Sequence, residues 1–334
     1  MRSIRSVPRL LASLLASTLL VPLAAALPSP ARATEDAAPP ASAGKAFDYR
    51  LQPRALAEGV YMLEGRREDF SPDNGGNIVN TGFIVGRDGV IVIDTGPSRR
   101  YGEQLRTAIS RVTPLPVVLT INTHHHPDHF LGNQAFPPDT LAALPETIAG
   151  IEAEGEAFNG NMYRLVGDWM RDTEVVVPRQ RLAPGRRVVG GRDIELLALG
   201  GHTAADLVLI DHASGTVFAS DLVFHGRAPT TPHADIPRWL ASLDTLGALA
   251  AKHWIPGHGI VGEEATALAD TRAYLVWLRD TIRDAAESGL DLAEALARPL
   301  PAEVRVWALA DSEYRRSLVH LFPEAEKAAL KHRH

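Results

Sequence analysis

The chain has 334 residues, 45% hydrophobic and 22% charged, an ordinary globular composition that excludes a disordered chain, a collagen-like repeat and a polytopic membrane protein. Its 40 acidic and 34 basic residues leave a net charge of −6, which repels phosphate backbones and argues against nucleic acid as a partner. Cysteine is absent, so disulfides, thiolate nucleophiles and iron–sulfur clusters are excluded. Residues 1–33 read as a cleavable signal peptide. Arg2, Arg5 and Arg9 form a positive head, residues 10–27 are apolar apart from small hydroxyl side chains, and Ala31-Arg32-Ala33 offers a small-x-small cleavage site before Thr34. Pro22 and Pro28 interrupt the apolar run and count against a retained anchor. No paired arginines precede the run, which favours the general secretory route. The mature protein is therefore expected to be periplasmic or secreted, with no membrane association after cleavage. Residues 34–46, rich in Ala and Pro, read as a disordered lead-in.

From residue 47 strands and helices alternate. Residues 82–85 and 90–94 form a predicted hairpin around Arg87-Asp88-Gly89. A helix is predicted over 100–109, a fully apolar strand over 117–121, and a mostly helical stretch over 142–172 with weak breaks at Gly150, Gly155 and Gly160. A strand at 194–199 precedes a second hairpin, 207–210 with 217–219. A helix over 239–251, a strand at 254–256 and a long amphipathic helix over 263–287 follow; Leu268, Leu275, Leu278 and Ile282 give the last its helical spacing. The remainder reads as helical, punctuated by Pro299, Pro301 and Pro323. Each hairpin leads to an acid, Asp94 in the first half and Asp221 in the second. Two similar halves point to an α/β four-layer αββα sandwich with a site along its seam; the alternative is that any two hairpins look alike.

The chemistry concentrates in Thr123-His124-His125-His126-Pro127-Asp128-His129. In extended backbone His124 and His126 leave on one face and can share an ion. Past Pro127 the chain turns and can aim Asp128 and His129 at a neighbouring point. Imidazole and carboxylate are the ligands a borderline divalent cation takes when no thiolate is offered. A solvated histidine loop is the alternative. It loses ground because Gly201-His202-Thr203, Ser220-Asp221 and Gly257-His258-Gly259 all fall at strand ends as well.

This set resembles the signature of the metallo-β-lactamase fold superfamily over residues 59–262. The resemblance implies that His124, His126 and His202 hold one metal ion, that Asp128, His129 and His258 hold a second, and that Asp221 bridges them. Asp94 would orient a ligand histidine from behind. It further implies a catalytic domain over 47–262 and a helical C-terminal extension over 263–334. True lactamases usually carry Cys or Ser where this chain has Asp221, so penicillin hydrolysis is not expected. An acid there is similar to hydroxyacylglutathione hydrolases, lactonases, alkylsulfatases and phosphodiesterases of the fold. Flavodiiron reductases put Glu where His126 stands, and RNA-processing members carry an inserted domain or basic arm; neither pattern is present. Residues 74–83, Asn-Gly-Gly-Asn-Ile-Val-Asn-Thr-Gly-Phe, are most similar to zinc metallohydrolases linked to periplasmic quinoprotein dehydrogenases, which makes such a dehydrogenase the expected partner.

The expected activity is hydrolysis of a small-molecule ester, thioester, lactone or related bond by a hydroxide shared between two zinc ions about 3.5–4 Å apart, with Asp128 as the catalytic residue that steers the nucleophile and passes its proton on. Iron or manganese fits the same ligand types. Two other readings are a mononuclear iron enzyme similar to persulfide dioxygenases, and a non-catalytic metal-bearing accessory factor. His225, Arg227 and His233 follow Asp221 near the expected mouth, where substrate contact and no role at all are both open. His212 and His253 read as surface residues, His332 and His334 as a frayed tail, and Trp169, Trp239 and Trp254 as core.

Overall fold

A computed structural model describes residues 47–262 and 266–332; the expected leader and lead-in lie outside them. An antiparallel meander of β1 (Arg54–Ala57), β2 (Val60–Leu63), β3 (Thr81–Val85) and β4 (Val90–Ile93) leads to helix α1 (Arg99–Val112) and strand β5 (Val117–Asn122). The one-turn helix α2 (Pro127–Phe130), β6 (Leu141–Ala143), α3 (Pro145–Val166) and β7 (Gln180–Arg181) complete a seven-stranded sheet ordered β1 to β7. The second sheet is built from β8 (Gly185–Val189), β9 (Arg192–Leu199), β10 (Asp206–Asp211), β11 (Thr216–His225) and, after helix α4 (Ile236–Gly247), β12 (His253–Gly259). Helices α5 (Thr266–Glu287), α6 (Leu292–Leu296), α7 (Ala302–Arg305) and α8 (Ala310–His332) follow.

Alternation along the strands sorts side chains into layers, because successive residues face opposite sides of a sheet. Ile84, Ile91, Ile93 and Ile121 of the first sheet meet Leu196, Leu207, Leu209 and Phe218 of the second in one buried core. Their neighbours point outward: Phe83, Val90 and Val92 pack on Tyr101, Leu105 and Ile109 of α1. Val208, Val217 and Ala219 pack beneath Trp239 and Leu243 of α4, Leu275 and Leu278 of α5 and Leu318 and Phe322 of α8. The layers are α, β, β, α. The halves echo each other: in each, an antiparallel hairpin (β3–β4, β10–β11) is followed by a helix and a strand that returns parallel to the hairpin's second member (β5, β12).

Several boundaries differ from expectation. Residues 141–143 pair with β5 as a strand, whereas helix was expected from 142 on; Pro145, at the first helical position, holds the helix start beyond them. The helix then runs through Gly150, Gly155 and Gly160. At Gly150 a Cβ would lie 2.7 Å from the ring of His125, so that glycine lets α3 approach the histidine motif. Strands β1, β2 and β8 were not foreseen: β1 and β8 are partly exposed and mixed in pattern, and β2, though apolar, is only four residues long. Asp235 caps α4 through the Arg238 amide and moves its start ahead of residue 239. Trp239 and Trp254 are core, but Trp169 is only half-buried: it packs on Phe47 and Tyr49 and donates to the Pro72 carbonyl.

Candidate metal centre

Five segments converge at one edge of the sandwich. Thr123 and His124 follow directly on β5; His126 caps α2, which carries Asp128 and His129. His202 lies after β9, Asp221 within β11, and His258 near the end of β12. All seven side chains are buried. Asp221 sits centrally: Oδ2 is 3.3 Å from His202 Nε2, 3.1 Å from His258 Nε2 and 3.9 Å from His124 Nε2, and Oδ1 is 3.2 Å from His129 Nε2. His126 Nδ1 lies 2.9 Å from His202 Nε2, and Asp128 Oδ2 is 3.4 Å from His258 Nε2. Three sets that could each hold an ion result, each with ligand atoms within 4.8 Å of one another: His124, His126, His202 and Asp221; Asp128, His129 and His258; and, at the mouth, His125, His126 and His233.

The donor chemistry fits a cation. His124 Nε2, Asp128 Oδ2, His129 Nε2 and Asp221 Oδ1 are buried without a hydrogen-bond partner, and such atoms cost roughly 1–3 kcal/mol each when nothing satisfies them. Burial holds His124 and His126 well below the ordinary imidazole value and pushes His202 down to about 3, so all three offer neutral lone pairs. His129 behaves differently. Burial opposes its charge, but the Asp221, Asp94 and Asp128 carboxylates outweigh burial and hold it well above the usual value. The same negative surplus would favour a metal ion in place of that proton. Burial likewise opposes ionisation of Asp221, yet the surrounding imidazoles of His258, His129, His124 and His202 keep it well below the carboxylate range.

Supporting residues hold these groups in place. Asp94 accepts from the Thr123 amide (2.8 Å) and hydroxyl (2.9 Å) and meets His129 Nδ1 at 2.8 Å. The expected histidine-orienting geometry is thus present, and its partner is His129. Asp94 and Ser220 both adopt left-handed backbone, φ 59° and 50°, a strained conformation that turns the chain beside the ligands. His258 Nδ1 donates to the Ile78 carbonyl at 2.8 Å. Two residues to which the sequence assigned no role complete the frame. Asp206 accepts from the His202 and Thr203 amides and the Thr203 hydroxyl. Asn80 donates to the carbonyls of Pro256 and Gly259 around His258. The spacing Gly-His-Thr-Ala-Ala-Asp at 201–206 was the available signal for Asp206; the role of Asn80 was not legible, since the two carbonyls it donates to lie 176 and 179 residues away.

A cavity of about 570 Å³ opens over the cluster, with Phe70, Phe158 and Leu165 as apolar walls and Arg316 and His320 of α8 on its rim. Of the three residues expected near the mouth, His233 lines it and meets His126 Nε2 at 2.8 Å. Arg227 also reaches it but is buried, 2% exposed, against Glu313 of α8. His225 points elsewhere, paired with Asp270. His212 and His253 are half-buried, and His212 pairs with Glu195. His332 ends α8, and His334 lies outside the described residues.

Stacked sheets between helix layers, with buried imidazoles and carboxylates gathered at one edge, define a two-sheet α/β protein with a divalent-metal site. Residues 74–258 match the Metallo-beta-lactamase superfamily, and the chain belongs to it. The Gallus gallus acyl-coenzyme A thioesterase MBLAC2 is 26% identical over 235 residues, 61% of this chain and 79% of that protein. A hydroxyacylglutathione hydrolase from Cyanothece is 28% identical over 42% of this chain and 51% of its own length. Among solved structures, a metallo-beta-lactamase from Pontibacter korlensis superposes with a TM-score of 0.53 at 21% identity, covering 68% of this chain and 99% of its own. A double mutant of the sec-alkyl sulfatase PisA1 gives 0.63 at 18% identity over 84% of this chain and 51% of its own. These likenesses show the fold.

Proposed function

We propose that the protein is an exported dinuclear zinc hydrolase acting on a small acyl thioester or ester. The observation that carries this reading is the carboxylate of Asp221 lying between two sets of buried, unsatisfied ligand atoms. Hydrolysis is supported by the thioesterase and hydroxyacylglutathione hydrolase relatives. His124, His126 and His202 would hold one ion, Asp128, His129 and His258 the other, and Asp221 both. Bound zinc supplies a Lewis acid and lowers the pKa of water toward neutrality. The rest falls to the chain. Asp128, its Oδ2 facing the cluster, holds the attacking water by accepting its hydrogen bond and carries the proton toward the leaving group. Phe70, Phe158 and Leu165 bind the acyl portion and exclude bulk water, while Arg316 and His320 face the leaving group at the rim. Residues 47–262 would form the catalytic domain, and the extension over 263–334 would contribute to its mouth.

Export rests on the basic head, apolar run and Ala31-Arg32-Ala33, and service to a quinoprotein dehydrogenase on residues 74–83. Elemental analysis should find two zinc ions per chain, and a panel of thioesters, esters, lactones and β-lactams should show thioester or ester turnover first. A single tight iron with persulfide-dependent oxygen uptake would replace this reading with the dioxygenase one. A metal-loaded protein inert on the whole panel, but captured by a purified quinoprotein dehydrogenase, would favour the accessory role. Sequencing protein from a periplasmic extract should begin at Thr34; an intact Met1 in the membrane pellet would refute export.

A further inference from the structure

His233 belongs to neither ligand set that meets at Asp221, yet its Nδ1 lies 2.8 Å from Nε2 of His126. The other nitrogen of that ring, Nδ1, faces His202 Nε2 at 2.9 Å, inside the ligand set. If His126 gives its Nδ1 lone pair to an ion, which rests on the reading above, the single proton of the neutral ring must sit on Nε2. That N–H then donates to His233 Nδ1. His233 in turn carries its proton on Nε2, which faces Glu154 of α3, with the carboxylate oxygen 3.7 Å away.

The turn bearing His233 is fixed from two sides. The Asp235 amide donates to the Gly201 carbonyl (2.8 Å), beside His202, and the Thr231 hydroxyl donates to Ser317 of α8 (2.6 Å). The Ala234 amide closes the turn on the Thr231 carbonyl. An imidazole held this way has little freedom to leave its partner, although 39% of its side chain is exposed.

We propose that His233, backed by Glu154, is a positioning residue that fixes the tautomer and ring plane of His126. The role parallels the carboxylate behind a metal-ligating histidine, with an imidazole inserted between carboxylate and ligand. It leaves the opposite set, Asp128, His129 and His258, untouched.

The test uses the full chain and zinc, with affinity read by competition against a chromogenic chelator and the His126 tautomer by ¹⁵N NMR of histidine-labelled, zinc-loaded protein. His233→Ala should weaken one of two sites by about 10–100-fold, leave the other unchanged and broaden or shift the His126 Nε2–H signal. His233→Asn, which keeps an acceptor near the Nδ1 position, should recover most of the loss, and Glu154→Gln should cost less than His233→Ala. Unchanged affinity and tautomer in His233→Ala would overturn the proposal. Loss of a third ion in both His233→Ala and His125→Ala would also overturn it, because those histidines with His126 would then hold an ion of their own. Should His126→Ala keep the wild-type zinc stoichiometry, the metal reading itself fails, an outcome separate from the first two.

Discussion

Asp221 lies within 3.9 Å of four histidines, two from each ligand set. Asp221→Asn keeps the shape but replaces one anionic oxygen with an amide nitrogen that binds no cation. The expected outcome is loss of one metal and a fall in hydrolysis of more than 100-fold. Asp94→Asn acts one bond further out, through Thr123 and His129, and should cost 10–100-fold with both metals kept. Metal content and rate measured together separate the two; near-full activity with two metals in Asp221→Asn would refute the bridging role. Gly257 makes an independent prediction. A Cβ there would stand 1.9 Å from Asp221 Oδ1 and 2.7 Å from its amide nitrogen. Gly257→Ala should therefore displace the carboxylate and reproduce the metal loss of Asp221→Asn, while circular dichroism remains that of the wild type.

At the level of elements, α8 is tied to the loop after β11 by charge as well as by packing. Glu313 is fully buried, accepts from Thr230 and Arg316 at 2.9 Å each, and faces the buried Arg227 at 3.5 Å. Burial raises the Glu313 pKa, against the pull of the two arginines. Removing one member of a buried ion pair leaves an uncompensated charge, typically at about 3–5 kcal/mol. Glu313→Ala should lose stability in that range, measured by denaturant unfolding. Because Arg316 and His320 ride on the same helix at the cavity rim, the variant should also raise KM more than it lowers kcat. Glu313→Gln retains an acceptor and should be milder on both counts.

For the molecule as a whole, the candidate ligands join the two sheets: the segment from the end of β5 through α2 supplies four of them, while the loop after β9 and strands β11 and β12 supply the other three. Metal binding should then stabilise the fold, by about 4 kcal/mol at a thousandfold excess over Kd. EDTA should lower Tm and abolish hydrolysis, and zinc should restore both. The metal-free chain has a further pH dependence with a definite sign. His124, His126 and His202 stay neutral when folded because burial depresses them, whereas in the unfolded chain they protonate below about pH 6.5. The unfolded state binds more protons there, so stability falls as pH drops. Asp206, raised by burial to about 7, works the opposite way, one group against three. His129, held well above the imidazole value, stays protonated when folded while the unfolded ring loses its proton as pH rises through about 6.5, so it adds a weak opposing slope near that pH. The denaturant midpoint of EDTA-treated protein should decrease from pH 7 to pH 5; an increase would contradict the assignment of neutral histidines.

What was legible in the amino-acid order is local. Short continuous apolar runs such as 90–93 and 207–210, bounded by turn residues, mark strands buried on both faces, and the paired hairpins pointed to the four layers. His124, His126, Asp128 and His129 lie within six residues, so local geometry alone nearly gathers them. His202 and His258 could be nominated from their flanking glycines beside strands, and Asp221 from the expected end of a strand that in fact runs on to His225. What only the tertiary structure decided depends on contacts between distant segments. Leu141–Ala143 is a strand because β5 offers it an edge, and Trp169 is half-buried because Phe47 and Tyr49 happen to cover it. Arg227 looked like a loop residue until Glu313, 86 residues away, was found to meet it. His233 reaches His126 across 107 residues. Hydrogen bonds and ion pairs of that separation leave no periodicity in a sequence, since they fix the positions of two atoms and place no constraint on the residues between them.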